Sequence, residues 1–145
     1  MKDQNKTKKQ LINELVALRL RIAELGALEN EHKRSEEALE QLAAIVQSSD
    51  DAIIGKTLGG MIISWNSGAE RVYGYSSVEV IRRHISILLP PNHPDEVSQF
   101  LERISRGERI DHYETVRMRK DGQFIHVSLT MSPVKDATGK IVGAS

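Results

Sequence analysis

Three glycine-bearing turns, each beside runs that alternate apolar and polar residues, constrain this chain more than any other feature. Asp121-Gly122 separates residues 113–119 from 123–134. An Asp-Gly pair between two such runs is a strong short-range hairpin signal. Val116 and Met118 alternate with charged residues, and Ile125, Val127 and Leu129 alternate with polar ones. Gly59-Gly60 divides residues 51–57 from 61–65 and supplies the positive φ angles of a tight turn. Asp136-Ala137-Thr138-Gly139 precedes a last short run at residues 140–143. A chain turned back three times in this way is predicted to form a five-stranded antiparallel sheet.

The segment between the first two strands and the last three is punctuated as short helices. Ser67 with Glu70, and Ser76 with Glu79, have capping-box spacing, and Gly74 stops the first of these helices. Pro90-Pro91 breaks the chain again. Pro94, Asp95 and Glu96 suit the first turn of a third helix. There Val97, Phe100, Leu101 and Ile104 share one face, and Gly107 closes the helix. Two strands, a helical crossover and three strands make an α+β fold, with short helices on one face of the sheet.

Upstream the periodicity changes. From about residue 6 to 48 there is no proline and a single glycine, Gly26. Leu11, Leu15, Leu18, Ile22 and Leu25 alternate spacings of four and three, the seam of a heptad helix. Continued in register, the stripe meets Glu29, His32 and Glu36. A three-residue shift through Leu28, His32, Ser35, Leu39, Leu42 and Val46 restores it. Two arrangements satisfy such a stripe: a parallel coiled-coil dimer, or a helix folded back on its own domain. The length of the segment favours the dimer, with Leu11, Leu15, Leu18, Ile22, Leu25, Leu28, Leu39, Leu42 and Val46 at the interface. The expected division is an N-terminal coiled-coil helix at 1–34 and a globular domain at 35–145.

Composition removes several function classes. Twenty basic and twenty acidic side chains balance to a net charge of zero, which disfavours nucleic acid as a partner. The absence of cysteine excludes disulfides, thiolate zinc sites and a cysteine nucleophile. No run has the apolar length of a membrane span, and no apolar leader follows Met1, so a cytoplasmic location is expected.

Local motifs narrow the fold further. They are Ser49-Asp50-Asp51-Ala52-Ile53, Trp65-Asn66, Gly74-Tyr75-Ser76, Leu88-Leu89-Pro90, Arg119-Lys120-Asp121-Gly122 and Pro133-Val134-Lys135-Asp136. In this order and spacing they resemble the PAS domain, the sensory box of bacterial signalling proteins, over about two-thirds of the chain. The resemblance implies a five-stranded antiparallel sheet with a lid of short helices, and a receiver of signals rather than a catalyst. The heptad helix is similar to that preceding PAS domains in many sensor histidine kinases. It implies a homodimer, and an effector domain in a longer parent protein beyond Ser145, where the family completes the last strand and a linker. Arg82 departs from the pattern, since the family usually has glycine there; the local turn is expected to be disturbed.

The resemblance also frames the ligand. Haem-binding PAS domains use a histidine on the long helix. The matching position falls near Val97, with His93 one turn away, so haem is not expected. Flavin adducts and chromophores attached through cysteine are excluded by composition. His32, His84, His93, His112 and His126 show no paired metal-ligand spacing. What remains is an apolar space between sheet and helices, read either as packed core or as a cavity for a non-covalent small ligand. Its expected lining is Ile54, Ile63, Trp65, Tyr73, Ile81, Leu88, Phe100, Val116, Met118, Val127 and Leu129, with Lys56, Arg82, Arg83 and Arg117 at the rim. No catalytic constellation assembles. The expected function is a sensory and dimerisation module of a bacterial signal-transduction protein, as in a histidine kinase; the alternative is a ligand-free interaction scaffold.

Overall fold

The structure, a computed structural model, describes residues 7–92 and 95–145. His93 and Pro94, the latter expected in the first turn of the third helix, lie outside the described residues. The chain divides into two compact units, Met1–Ala44 and Ile45–Ser145. Among its described residues the first has one element. Helix α1 spans Lys8–Ser48, continues through Gly26 without a break, and buries no residue. Its last turn belongs to the second unit.

The second unit is the α+β domain. Strands β1 (Ile54–Thr57) and β2 (Ile62–Trp65) form the first hairpin. Helices α2 (Ser67–Tyr73) and α3 (Ser77–Val80), a 3-10 turn at Ile85–Leu88 and helix α4 (Glu96–Ser105) make the crossover. Strands β3 (Ile110–Met118) and β4 (Phe124–Met131) pair over most of their length, from Ile110↔Met131 to Met118↔Phe124. β5 (Pro133–Lys135) and β6 (Ile141–Ala144) complete a four-stranded sheet in the order β2-β1-β6-β5. Every pairing is antiparallel. The expected fourth strand is divided at Ser132, so the described residues form six strands, four in one sheet and two in the β3–β4 hairpin. Pro133 has no N–H for the ladder, and such a residue is tolerated at the start of a strand. Ser132 is paired all the same, exchanging both backbone hydrogen bonds with Ser145 at 2.9 and 3.0 Å.

Turn chemistry follows the glycines. Gly60, Gly122 and Gly139 take φ of 87°, 84° and 86°. Asp136 fixes the last turn by accepting from the Thr138 and Lys140 N–H groups. Helix α3 carries the anticipated capping box, the Glu79 carboxylate accepting from the Ser76 N–H at 2.8 Å. Helix α2 does not use Ser67. Its cap is Asn66, whose Oδ1 accepts from the Ala69 N–H. Lys120 then pairs with Glu79, tying the β3–β4 turn to α3.

The core lies between the sheet and the helices. Ile62, Ala69, Val80 and Ile104 are fully buried, and Trp65, Tyr73, Leu88, Val97 and Phe100 nearly so. Trp65 packs on Tyr73 with ring centroids 5.6 Å apart, and its indole N–H donates to the Tyr75 carbonyl.

The turn after α3 is formed despite Arg82. That residue sits at φ 71°, in the left-handed region that glycine occupies without strain. Its N–H still reaches the Ile62 carbonyl at 2.9 Å, and its side chain is exposed. Arg82→Gly is therefore expected to stabilise the domain by roughly 0.5–1 kcal/mol in urea unfolding, strain relief outweighing the added chain entropy.

Candidate functional site

A cavity of about 320 Å³ opens between β1, α2, the 3-10 turn, α4 and the β3–β4 hairpin. Its apolar wall includes Ile54, Ile85, Leu88, Val97, Leu129 and Met131. Strand alternation places Ile54 and Lys56 two residues apart on β1, and both line this space.

Lys56 is only 6% exposed and Arg117 only 5%. Both were expected at the rim; both are inside the domain, while Arg82 and Arg83 are exposed and do not line the cavity. Arg117 Nη1 pairs with Glu96 Oε1 of α4 at 3.1 Å, and also donates to Thr115 Oγ1 and the Val116 carbonyl. Thr115 Oγ1 donates to Glu96 Oε2 at 3.0 Å. This buried pair is thus built into a small network, the condition under which such a pair repays its desolvation. Lys56 has no such partner: among the described residues its ammonium makes no hydrogen bond and no ion pair. Burial, with the nearby Arg117 charge adding to it, lowers its pKa from the ordinary value to about 8. Burial raises the Tyr73 phenol above its usual value, partly offset by Arg117.

Of the expected lining residues, Ile54, Tyr73, Leu88 and Leu129 meet at this cavity. Trp65 and Phe100 are buried beside it in the core, and Ile81 packs on that core from its margin. Ile63 is 58% exposed on β2. Val116 and Met118 lie opposite the exposed His126 and Phe124 across the β3–β4 ladder. Directly paired residues share a face, so it is Tyr113, Thr115 and Arg117 that face inward, opposite Leu129, Val127 and Ile125. Val127 lines a separate cleft with Ile125, Val72 and His112. The pattern set Lys56 and Arg117 at the rim where the structure buries them, and it missed Glu96. Their one sequence signal is position: Lys56 continues the Ile54 face, and Arg117 continues the face of Tyr113.

One side chain joins the cavity wall to α1. Asn66 is 1% exposed and makes four hydrogen bonds. Its Oδ1 accepts from Ile53 N–H at 2.8 Å and from Ala69 N–H at 2.9 Å. Its Nδ2 donates to the Val46 carbonyl at 2.8 Å and the Asp51 carbonyl at 2.9 Å. Ile53 lines the cavity, and Val46 is in the last turn of α1. Gln47 adds to the attachment by accepting from the N–H and hydroxyl of Ser67. Gly68 lets α2 approach this junction, since a Cβ there would stand 2.1 Å from the Asp51 carbonyl oxygen.

No three His, Asp or Glu side chains cluster as metal ligands among the described residues. His32 pairs with Glu36 at 2.9 Å on the exposed surface of α1, and His84 Nδ1 accepts from the Ser86 N–H. No described helix is long and apolar enough to cross a membrane.

Comparison with known proteins gives a consistent neighbourhood. The profile of the family described as the PAS fold matches residues 40–145. Two-component system protein A of Emericella nidulans is 31% identical over 109 residues. That match takes in 74% of this chain but only 16% of the relative's length. The PAS domain of a protein from Colwellia psychrerythraea superposes with a TM-score of 0.68 at 27% identity, covering 74% of this chain and 91% of that one. The PAS domain of an HTR-like protein from Haloarcula marismortui gives 0.66 at 24% identity, covering 81% and 98%, a likeness of fold.

Proposed function

The chain belongs to the PAS-fold family, and on that premise we propose that it is the sensory and dimerisation module of a larger bacterial signal-transduction protein, a histidine kinase of the two-component kind. The observation that carries this reading is the Asn66 junction. The same amide that receives the cavity-wall N–H of Ile53 holds the Val46 carbonyl at the end of α1. A molecule that repositions Ile53 acts on the last turn of the helix through two hydrogen bonds. A ligand that prefers one arrangement of this junction shifts the population of helix states in proportion to its differential affinity.

The helix is suited to receive such a shift. Its seam residues, from Leu11 to Val46, are 37% to 68% exposed in the single chain. An apolar stripe of that length is covered in solution by a second copy. The polar interruption at Glu29, His32 and Glu36 leaves the middle of the seam least committed in register. The similarity to a two-component protein supports the same setting, and the effector lies outside this chain in the parent protein.

Sedimentation equilibrium tests the dimer. The wild-type chain is expected to dimerise, and Leu18→Glu with Ile22→Glu to leave a folded monomer. His32→Leu with Glu36→Leu, which complete the seam, are expected to tighten the dimer by at least about tenfold, each buried side chain contributing on the order of 1.5 kcal/mol or more. A monomeric wild type, or unchanged affinity in the seam-completed variant, would sink the reading.

A further inference from the structure

We propose that the cavity beside Lys56 and Arg117 binds a small organic monoanion, a carboxylate with an apolar body. The inference rests on the sensory reading in taking the cavity as a ligand site, and it adds the chemistry of the ligand.

Three observations carry it. The first is the charge count: two buried cations, Lys56 and Arg117, line the space, and the carboxylate paired with Arg117 is the half-buried Glu96 of α4. Glu96 is committed to Arg117 and Thr115, so one positive charge remains without a partner. A buried charge is costly unless paired, and a ligand bearing a single negative charge completes the balance. The second is Arg117 itself. Its hydrogen bonds all leave from Nη1, which keeps its other N–H groups available for a carboxylate oxygen. The third is the wall. Ile54, Leu88, Val97 and Met131 offer an apolar surface to the rest of the molecule. The volume sits at the low end of the range for small-molecule sites, roughly 300–1,000 Å³. A strongly hydrated dianion such as inorganic phosphate matches neither the single charge nor this surface.

The test uses the chain with its C-terminus amidated, because Ser145 lines the cavity and a free terminal carboxylate would compete with the ligand. The probes are hexanoate and benzoate, their neutral amides hexanamide and benzamide, and inorganic phosphate. Thermal unfolding and titration calorimetry give the readout. At least one acid is expected to raise Tm and give a saturable heat, while its amide and phosphate do not. Lys56→Met is expected to weaken that binding at least about tenfold, the scale of one lost charge-assisted hydrogen bond. Since this variant removes an unpaired buried charge, its unliganded Tm is expected to rise, which separates lost binding from lost folding. Lys56→Gln provides a second, polar variant. Equal effects of acid and amide, undiminished binding by both Lys56 variants, or no response to either acid would each overturn the proposal. The sensory reading is read out separately, by the sedimentation behaviour of the helix variants. Acid binding with an unresponsive dimer would overturn that reading and leave the anion site standing.

Discussion

Asn66→Ala is expected to destabilise the domain by roughly 3–4 kcal/mol, among the largest effects of any single substitution outside the apolar core. The substitution removes an N-cap, which alone is worth about 1 kcal/mol. It also strips the partners from the Ile53 N–H and the Asp51 carbonyl, and leaves the Val46 carbonyl with the Ser49 N–H alone, at 3.4 Å. Backbone groups left unpaired in a buried site cost about 1–3 kcal/mol each, less where water reaches them. Against a total stability of about 5–15 kcal/mol for a domain of this size, that loss is visible in any unfolding curve. Asn66→Asp isolates the two halves of the junction. It keeps the acceptor for Ala69 and Ile53 but sets a carboxylate oxygen against two carbonyls, so it too is expected to destabilise. Urea unfolding followed by circular dichroism measures both. Losses under about 1 kcal/mol in both variants would show that the amide is not what holds α1 to the domain.

The second large effect is a rise in stability with pH. Lys56 has a folded-state pKa of about 8, against an ordinary lysine value of 10.5. Below pH 8 the folded and unfolded chains both hold the proton, and the fold carries the full cost of the buried charge. Between pH 8 and 10.5 the unfolded chain alone keeps it, so stability rises with pH through that window and levels off above it. The shift corresponds to roughly 3 kcal/mol across the window, at about 1.4 kcal/mol per pH unit. The charged neighbour facing Lys56 is Arg117 on β3, whose own charge is paired with Glu96 of α4. Tyr73 on α2 acts in the opposite sense. Its raised phenol pKa makes the folded state the better proton holder, so it subtracts stability from about pH 10 upward. The clean interval is therefore about pH 8 to 10. Urea midpoints across it are expected to climb in the wild type and to stay level in Lys56→Met, which starts higher at neutral pH. A wild-type profile as flat as that of the variant would refute the assignment.

The sequence reveals the architecture because its turns are chemically explicit. Asp121-Gly122 and Asp136-Ala137-Thr138-Gly139 each demand a left-handed glycine, and the strands follow from where those glycines fall. The cavity is harder to read, for a specific reason. Alternation tells which residues share a face but not which face is inside, and apolar content is the usual guide. On β3 that guide points to Val116 and Met118, whereas the inward set is Tyr113, Thr115 and Arg117. Burial of Arg117 depends on Glu96, which is twenty-one residues away in the chain and reaches it only through the packing of α4. For Lys56 the alternation gives the face it shares with Ile54, but nothing beside it in the sequence marks a lysine for burial. Asn66 was visible as part of a motif, but its reach back to Val46, twenty residues upstream, is a tertiary fact. The same holds for Arg82: its positive φ is imposed by the turn, against the preference of the residue.

The last turn of α1 belongs to the domain and not to the rest of the helix, since the compact unit begins at Ile45. This fixes where such a module is separable. A cut or splice at Ser49, the apparent end of the helix, discards the carbonyl that Asn66 caps and the Gln47 amide that receives Ser67. A joint at Ala44 keeps both. For chimaeras that place this domain beneath a foreign helix, and for recombination that exchanges whole modules, the transferable part therefore includes one turn of what looks like linker.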